Sequence, residues 1–218
     1  MTPWVRLPLA LVLVVLLSAC GNTRTWPHFA VAGAGGLQPG IKDREAGLVG
    51  LASGFDLRAY RIVIVDRFAV TDPGLSEEDD RALADSAPGY LQAQFVSQLR
   101  ESGLFERIVT PEEAASLSGP ALRLTGSIAQ VQGGSRHLRF WIRYGVGRSK
   151  VEVHTRLLDA ATGRLAVVTA TRRVAAASEA MSLDYGGSNE VLVQHALRDS
   201  ARDYARFLAR LARGEAPQ

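Results

Sequence analysis

Lysine is almost missing from this sequence: of 25 basic residues only Lys42 and Lys150 are lysine, and the rest are arginine. Base composition explains that bias as readily as anion recognition does. Cysteine occurs once, at Cys20, so no disulfide can form within the chain. The four histidines, His28, His137, His154 and His195, lack the spacing of a zinc-binding HExxH pair, and no Cys/His cluster exists. The sequence has no GxSxG. Its "GVGRS" at 145–149 lacks the remaining glycines of a dinucleotide fingerprint and the lysine of a P-loop. The acidic run Glu77–Asp80 lacks the alternating ligands and central glycine of a calcium loop, and reads as solvated charge. These absences leave no catalytic set, so the sequence predicts no enzyme, no cofactor and no metal.

What is present starts at the N-terminus. Arg6 precedes an apolar run from Leu7 to Leu17 broken only by Pro8, within the range of a signal-peptide core and below the roughly 20 residues of a spanning helix. Leu17, Ser18, Ala19 and Cys20 follow, and they resemble the lipobox of bacterial lipoproteins. The resemblance implies removal of residues 1–19, lipidation of Cys20 and, with Gly21 rather than Asp next, an outer-membrane location facing the periplasm. Cleavage removes Arg6 and no acidic residue, so the remaining charge is close to balanced and argues against a polyanion binder overall.

Residues 20–57 hold glycines at 21, 33, 35, 36, 40, 47, 50 and 54 and no sustained apolar period, which predicts a flexible tether. "GLVGLASGF" within it is apolar enough to dock on the domain instead. Residues 58–218 read as one α+β domain: a mixed, mostly antiparallel sheet of about five strands with two main helices on one face. Ile62–Val65 is the β-branched run of a central strand. Pro88 predicts the start of a helix, with Ser86 as its cap and with Leu91, Phe95 and Leu99 on one face up to Gly103. Phe105–Thr110 reads as a short strand. Ala121–Val131 and Ser149–Asp159 alternate, Arg164–Val174 returns after the Asp159–Gly163 hairpin loop as the partner strand to make an antiparallel meander, and a last helix runs from Ser188 as cap to about Arg213.

The order of "RIVIVDRFAV", "SGLFERIV", "GVGRSKVEVHTRLLDAATG" and "GGSN", from Tyr60 to the C-terminus, resembles the bacterial lipoprotein family of domain of unknown function 4410. That resemblance implies an envelope location and no catalytic residue. The element order is also similar, at the level of fold alone, to small domains of periplasmic lipoproteins in envelope assembly and secretion systems.

Two surfaces could contact a partner. No carboxylate lies between Glu113 and Glu152, while "RHLRFWIRYGVGRSK" interleaves basic and aromatic residues. Arg136, Arg139, Trp141, Arg143, Arg148 and Lys150 are therefore the candidate contacts for an acidic protein or anionic lipid, and export leaves nucleic acid aside. A strand with solvated charges is the plainer account of the same segment. On the last helix, Arg198, Arg202, Arg206 and Arg210 recur every four residues and drift around the axis; Asp199 and Asp203 are placed three before two of them. The expected function is that of a binding or assembly module in the cell envelope. Binding of anionic lipid or glycolipid is the alternative. A hydrolase built on Asp66, His137 and Asp184 is the weaker one.

Overall fold

The computed structural model describes residues 23–25, 37–75, 78–114, 118–134, 149–175 and 188–218. Among them nine strands form one sheet: β1 (Thr23–Thr25), β2 (Ile41–Asp43), β3 (Gly47–Leu51), β4 (Ile62–Val65), β5 (Ala69–Val70), β6 (Arg107–Val109), β7 (Ala121–Gln132), β8 (Ser149–Asp159) and β9 (Leu165–Ala175). The helices are α1 (Glu78–Ser102), the single turn α2 (Pro111–Ala114) and α3 (Asn189–Ala212). The path across the sheet is β2-β3-β9-β8-β7-β4-β6, with β1 also on β9 and β5 also on β7. β4 lies parallel to β6 and β7, and the β7-β8-β9 meander is antiparallel.

The β-branched run becomes an inner strand, with Val63 and Val65 fully buried. In β8, Val151, Val153, Thr155 and Leu157 face the helices, and Lys150, Glu152, His154 and Arg156 face the other way. A bulge between Ile128 and Gln130 shifts the phase of β7, so Ile128 and Val131 both reach the core although three apart. Asp72 fastens that bulge: one carboxylate oxygen accepts the Val131 N–H at 2.8 Å and the other closes the Asp72-Pro73-Gly74 turn through the Gly74 N–H at 2.8 Å.

α1 and α3 cover one face of the sheet and pack on each other. Phe95 of α1 stacks on Phe68 with ring centroids 5.1 Å apart and meets Tyr204 of α3 edge-on at 5.6 Å. Gly126 of β7 makes this stack fit. A Cβ there would stand 2.1 Å from the His154 carbonyl oxygen and 2.6 Å from the Phe68 ring.

The expected helix begins earlier than Pro88, and its presumptive cap Ser86 instead donates its hydroxyl to the Leu83 carbonyl inside α1. An interior proline removes one helix bond and crowds the carbonyl four residues back, a cost of about 3 kcal/mol. The helix continues because Leu83, Ala84 and Ala87 belong to the same core as Leu91, Phe95 and Leu99. A large apolar chain contributes about 1.5–3 kcal/mol when fully buried. Glu78, Asp79 and Asp80, expected in a solvated loop or short helix, form its first turn, where carboxylates oppose the helix dipole. Gly103, at φ +65°, ends it as expected.

Two further expectations are corrected. The sheet has nine strands rather than about five, and three of them fall within the stretch expected to be a flexible tether. β2 and β3 form a hairpin whose second strand pairs with β9, so the "GLVGL" docking alternative is the one realised. β1 occupies the adjoining part of the same β9 edge, with Thr23 opposite Val174.

Candidate functional site

Buried charge concentrates on the meander and its surroundings. On the helix-free face, Gln130, Glu152 and Arg172 stand in one row across β7, β8 and β9. The β1 register places Thr25 opposite Arg172 and continues the row. Glu152 is 0% exposed, Arg172 4% and Gln130 7%. Alternation along β8 puts Glu152 and His154 on the side away from the core, and does not show that this side is also closed to solvent. An isolated buried carboxylate costs several kcal/mol, so Glu152 requires partners. His154 Nε2 lies 2.7 Å from its Oε1. Arg172 faces it across the β8-β9 pair, and burial lowers the Arg172 pKa while the Glu152 charge opposes that shift. Gln130 Oε1 and Arg172 Nε are buried without a hydrogen-bond partner. The carboxylate orients the imidazole, and the guanidinium balances the carboxylate.

On the helix-covered face, Arg173 of β9 donates to the Asp203 carboxylate of α3, both residues being buried. The two expected pairs along α3 form as well: Asp199–Arg202 at 2.9 Å and Asp203–Arg206 at 3.7 Å. Arg198 and Arg206 are exposed, whereas Arg210, expected on the same solvated row, is only 3% exposed. The 40° drift per step of four carries it round to the sheet. There its Nη2 donates to Asp43 at 2.6 Å and its Nε to Glu45 at 2.6 Å. This cluster was not visible in the sequence, because Asp43 and Glu45 fell within the expected tether.

Of the predicted contact residues, Lys150 is described. It is half-buried in β8, opposite Gln132 and Val174 and two residues from Glu152 on the same face. Arg136, Arg139, Trp141, Arg143 and Arg148 lie outside the described residues, as do Cys20, His137 and Asp184. Asp66, the described member of the hydrolase alternative, is bound by Arg123 Nε at 3.0 and 2.8 Å. Among the described residues no group of three His, Cys, Asp or Glu side chains is arranged to hold a metal, and no helix is long and apolar enough to cross a membrane.

A mixed sheet with two long helices on one face, its buried charges joining strand to strand and helix to strand, defines this as a small α+β domain. The chain belongs to the family described as domain of unknown function DUF4410, whose model matches residues 53–178. Among solved structures it is similar to the PelC dodecamer from Paraburkholderia phytofirmans, at 15% identity over 72% of this chain and 98% of that one, with a TM-score of 0.46. A Xanthomonas campestris protein of the DUF330 family model is 9% identical over 75% of this chain and 92% of its own, at a TM-score of 0.45. A Caulobacter crescentus protein assigned as a lipoprotein is 17% identical over 74% of this chain and 96% of its own, at 0.36. Comparison with curated proteins gives no match.

Proposed function

We propose that the protein is a non-enzymatic lipoprotein, anchored to the outer membrane through Cys20 with its domain in the periplasm, and that it acts as a binding or assembly module of the cell envelope. The observation that carries this reading is the Leu17-Ser18-Ala19-Cys20 sequence at the end of the apolar run. The fold supports it: Arg210 with Asp43 and Glu45, Arg173 with Asp203, and Arg123 with Asp66 use their charge to join elements. Membrane fractionation tests the anchor, with Cys20→Ala expected to release the protein from the outer-membrane fraction. Crosslinking in intact cells tests the module, and recovery of no reproducible partner overturns it.

One observation favours anionic lipid as a ligand of the same molecule. Gln132, Lys150, Val174 and Thr23 lie side by side across β7, β8, β9 and β1. Strands spaced about 4.8 Å apart make that row about 14 Å wide. Cys20 is three residues before Thr23, within about 10 Å by covalent reach. The basic-aromatic segment departs after Gly134 and rejoins at Ser149, at this same end of the sheet. The N-terminal segment and the basic-aromatic segment thus join the described sheet at one end. Protein beginning after Cys20 is expected to bind anionic liposomes at low salt, and Arg139→Glu with Arg143→Glu to abolish binding. Equal binding to neutral liposomes overturns this second reading.

A further inference from the structure

The two edges of the sheet are finished differently. At the β2 edge, the Arg44 N–H donates to the Gln218 carbonyl at 2.9 Å and the Gln218 N–H to Asp43 Oδ2 at 3.0 Å, so Gln218 closes the hairpin turn. At the other edge, among the described residues, β6 pairs with β4 alone. The Arg107 N–H bonds the Arg61 carbonyl on the β4 side. The alternation of a parallel strand therefore turns the N–H and C=O of Ile108 outward, away from β4.

An open concavity runs along this free edge, between the last turn of α1 and α2. Phe105, Ile108 and Val109 give it an apolar floor, and Arg100, Arg107, Glu106 and Glu113 line it with charge. Both carboxylates are already engaged: Glu106 is paired with Arg61, and Glu113 Oε2 accepts the Thr110 N–H at 2.9 Å. Among the described residues, Arg100 and Arg107 are exposed and make no ion pair. With Glu106 set against Arg61, the lining keeps Arg100 and Arg107 against the single Glu113 carboxylate, a net charge of one positive. Arg100 also offsets the carbonyl end of α1, a favourable place for a cation. Arg107 has no such second role.

We propose that the free edge of β6 is a docking site for an extended, acidic segment of a partner protein. Such a segment would add a strand beside β6 through the outward Ile108 N–H and C=O, and place its carboxylates against Arg107 and Arg100. An extended backbone is specified by an edge unpaired among the described residues, and an acidic one by the excess of Arg100 and Arg107 over Glu113. This rests on the reading of the protein as a binding module and names the chemistry of its partner.

The test is selection of a random dodecapeptide library against the full-length protein in detergent micelles. The expected result is enrichment of peptides that alternate Asp or Glu with strand-forming residues. Arg107→Glu should weaken them at least tenfold, and Arg100→Glu with Arg107→Glu should abolish binding, with an unchanged circular dichroism spectrum showing that the fold is kept. Enrichment without acidic residues, no enrichment, or acidic peptides indifferent to Arg107→Glu each overturn the site. Those results leave the binding-module reading intact, which is lost when crosslinking in cells recovers no partner.

Discussion

Arg210 and Asp43 lie 167 positions apart in the chain and meet at 2.6 Å, with side chains 4% and 0% exposed. Asp43 also accepts the N–H groups of Glu45, Ala46 and Gln218. One carboxylate therefore joins the end of α3, the β2-β3 turn and the C-terminal residue. Removing one partner of a buried pair leaves the other charge uncompensated, at about 3–5 kcal/mol. Arg210→Met, which keeps much of the side-chain volume, is expected to lose stability by about that amount in urea unfolding. A loss below about 1 kcal/mol would show that the backbone donors around Asp43 suffice alone.

Acid should destabilise the protein in a defined window. Asp159 accepts the Thr162 N–H at 2.7 Å, the Thr162 hydroxyl at 2.8 Å and the Tyr60 hydroxyl at 2.8 Å, and these bonds, the Thr162 backbone bond foremost, hold its carboxyl down to about 2. Burial pushes Asp43 up, but its hydrogen bonds, led by that from Ala46, outweigh burial and leave it below its ordinary value. An unfolded aspartate titrates near about 3.9. Both groups therefore contribute fully above about pH 4, and the Asp159 contribution is lost as the pH falls towards about 2. Thermal melts from pH 5 to 2 should show this decline, and Asp159→Asn should flatten it.

Gly126→Ala is expected to destabilise by about 3 kcal/mol, the upper end for overpacking, because the added carbon meets the His154 carbonyl and the Phe68 ring. Gly163→Ala is the control. Its φ of +69° is strained for alanine but nothing stands within 4 Å, so about 1 kcal/mol is expected. Equal melting temperatures for the two variants would contradict the packing reading.

The Glu152 and Arg172 charges are expected to be coupled. Glu152→Gln and Arg172→Met should each destabilise, because each leaves the other charge buried. The double variant should recover about 1–3 kcal/mol relative to their sum. Additive losses in denaturant titrations would show that His154 and the remaining surroundings balance Glu152 without Arg172.

The long regular elements were legible in the sequence because each carries its own period. β8 alternates over eleven residues, and α3 repeats its apolar face from Val193 to Leu208 between Ser188 and Gly214. The β2-β3 hairpin was illegible for the opposite reason. Its strands span three and five residues, and what holds the second is the edge of β9, well over a hundred positions later. Pro88 misled because local preference pointed to a helix start, while burial on both sides of it decided otherwise. The burial of Glu152 was illegible because a period of two assigns a face without saying whether water reaches it.

The length of β8 fixes how far apart the two ends of the meander stand. Eleven residues at about 3.3 Å each make a strand at most about 36 Å long. Its Ser149 end lies near the attachment point of the N-terminus, and its Asp159 end carries the turn that Tyr60 and Thr162 brace. Were Cys20 lipidated as proposed, β8 would act as a ruler between the lipid-bearing end of the domain and the braced turn, and shortening the meander by a residue pair would bring the two about 7 Å closer.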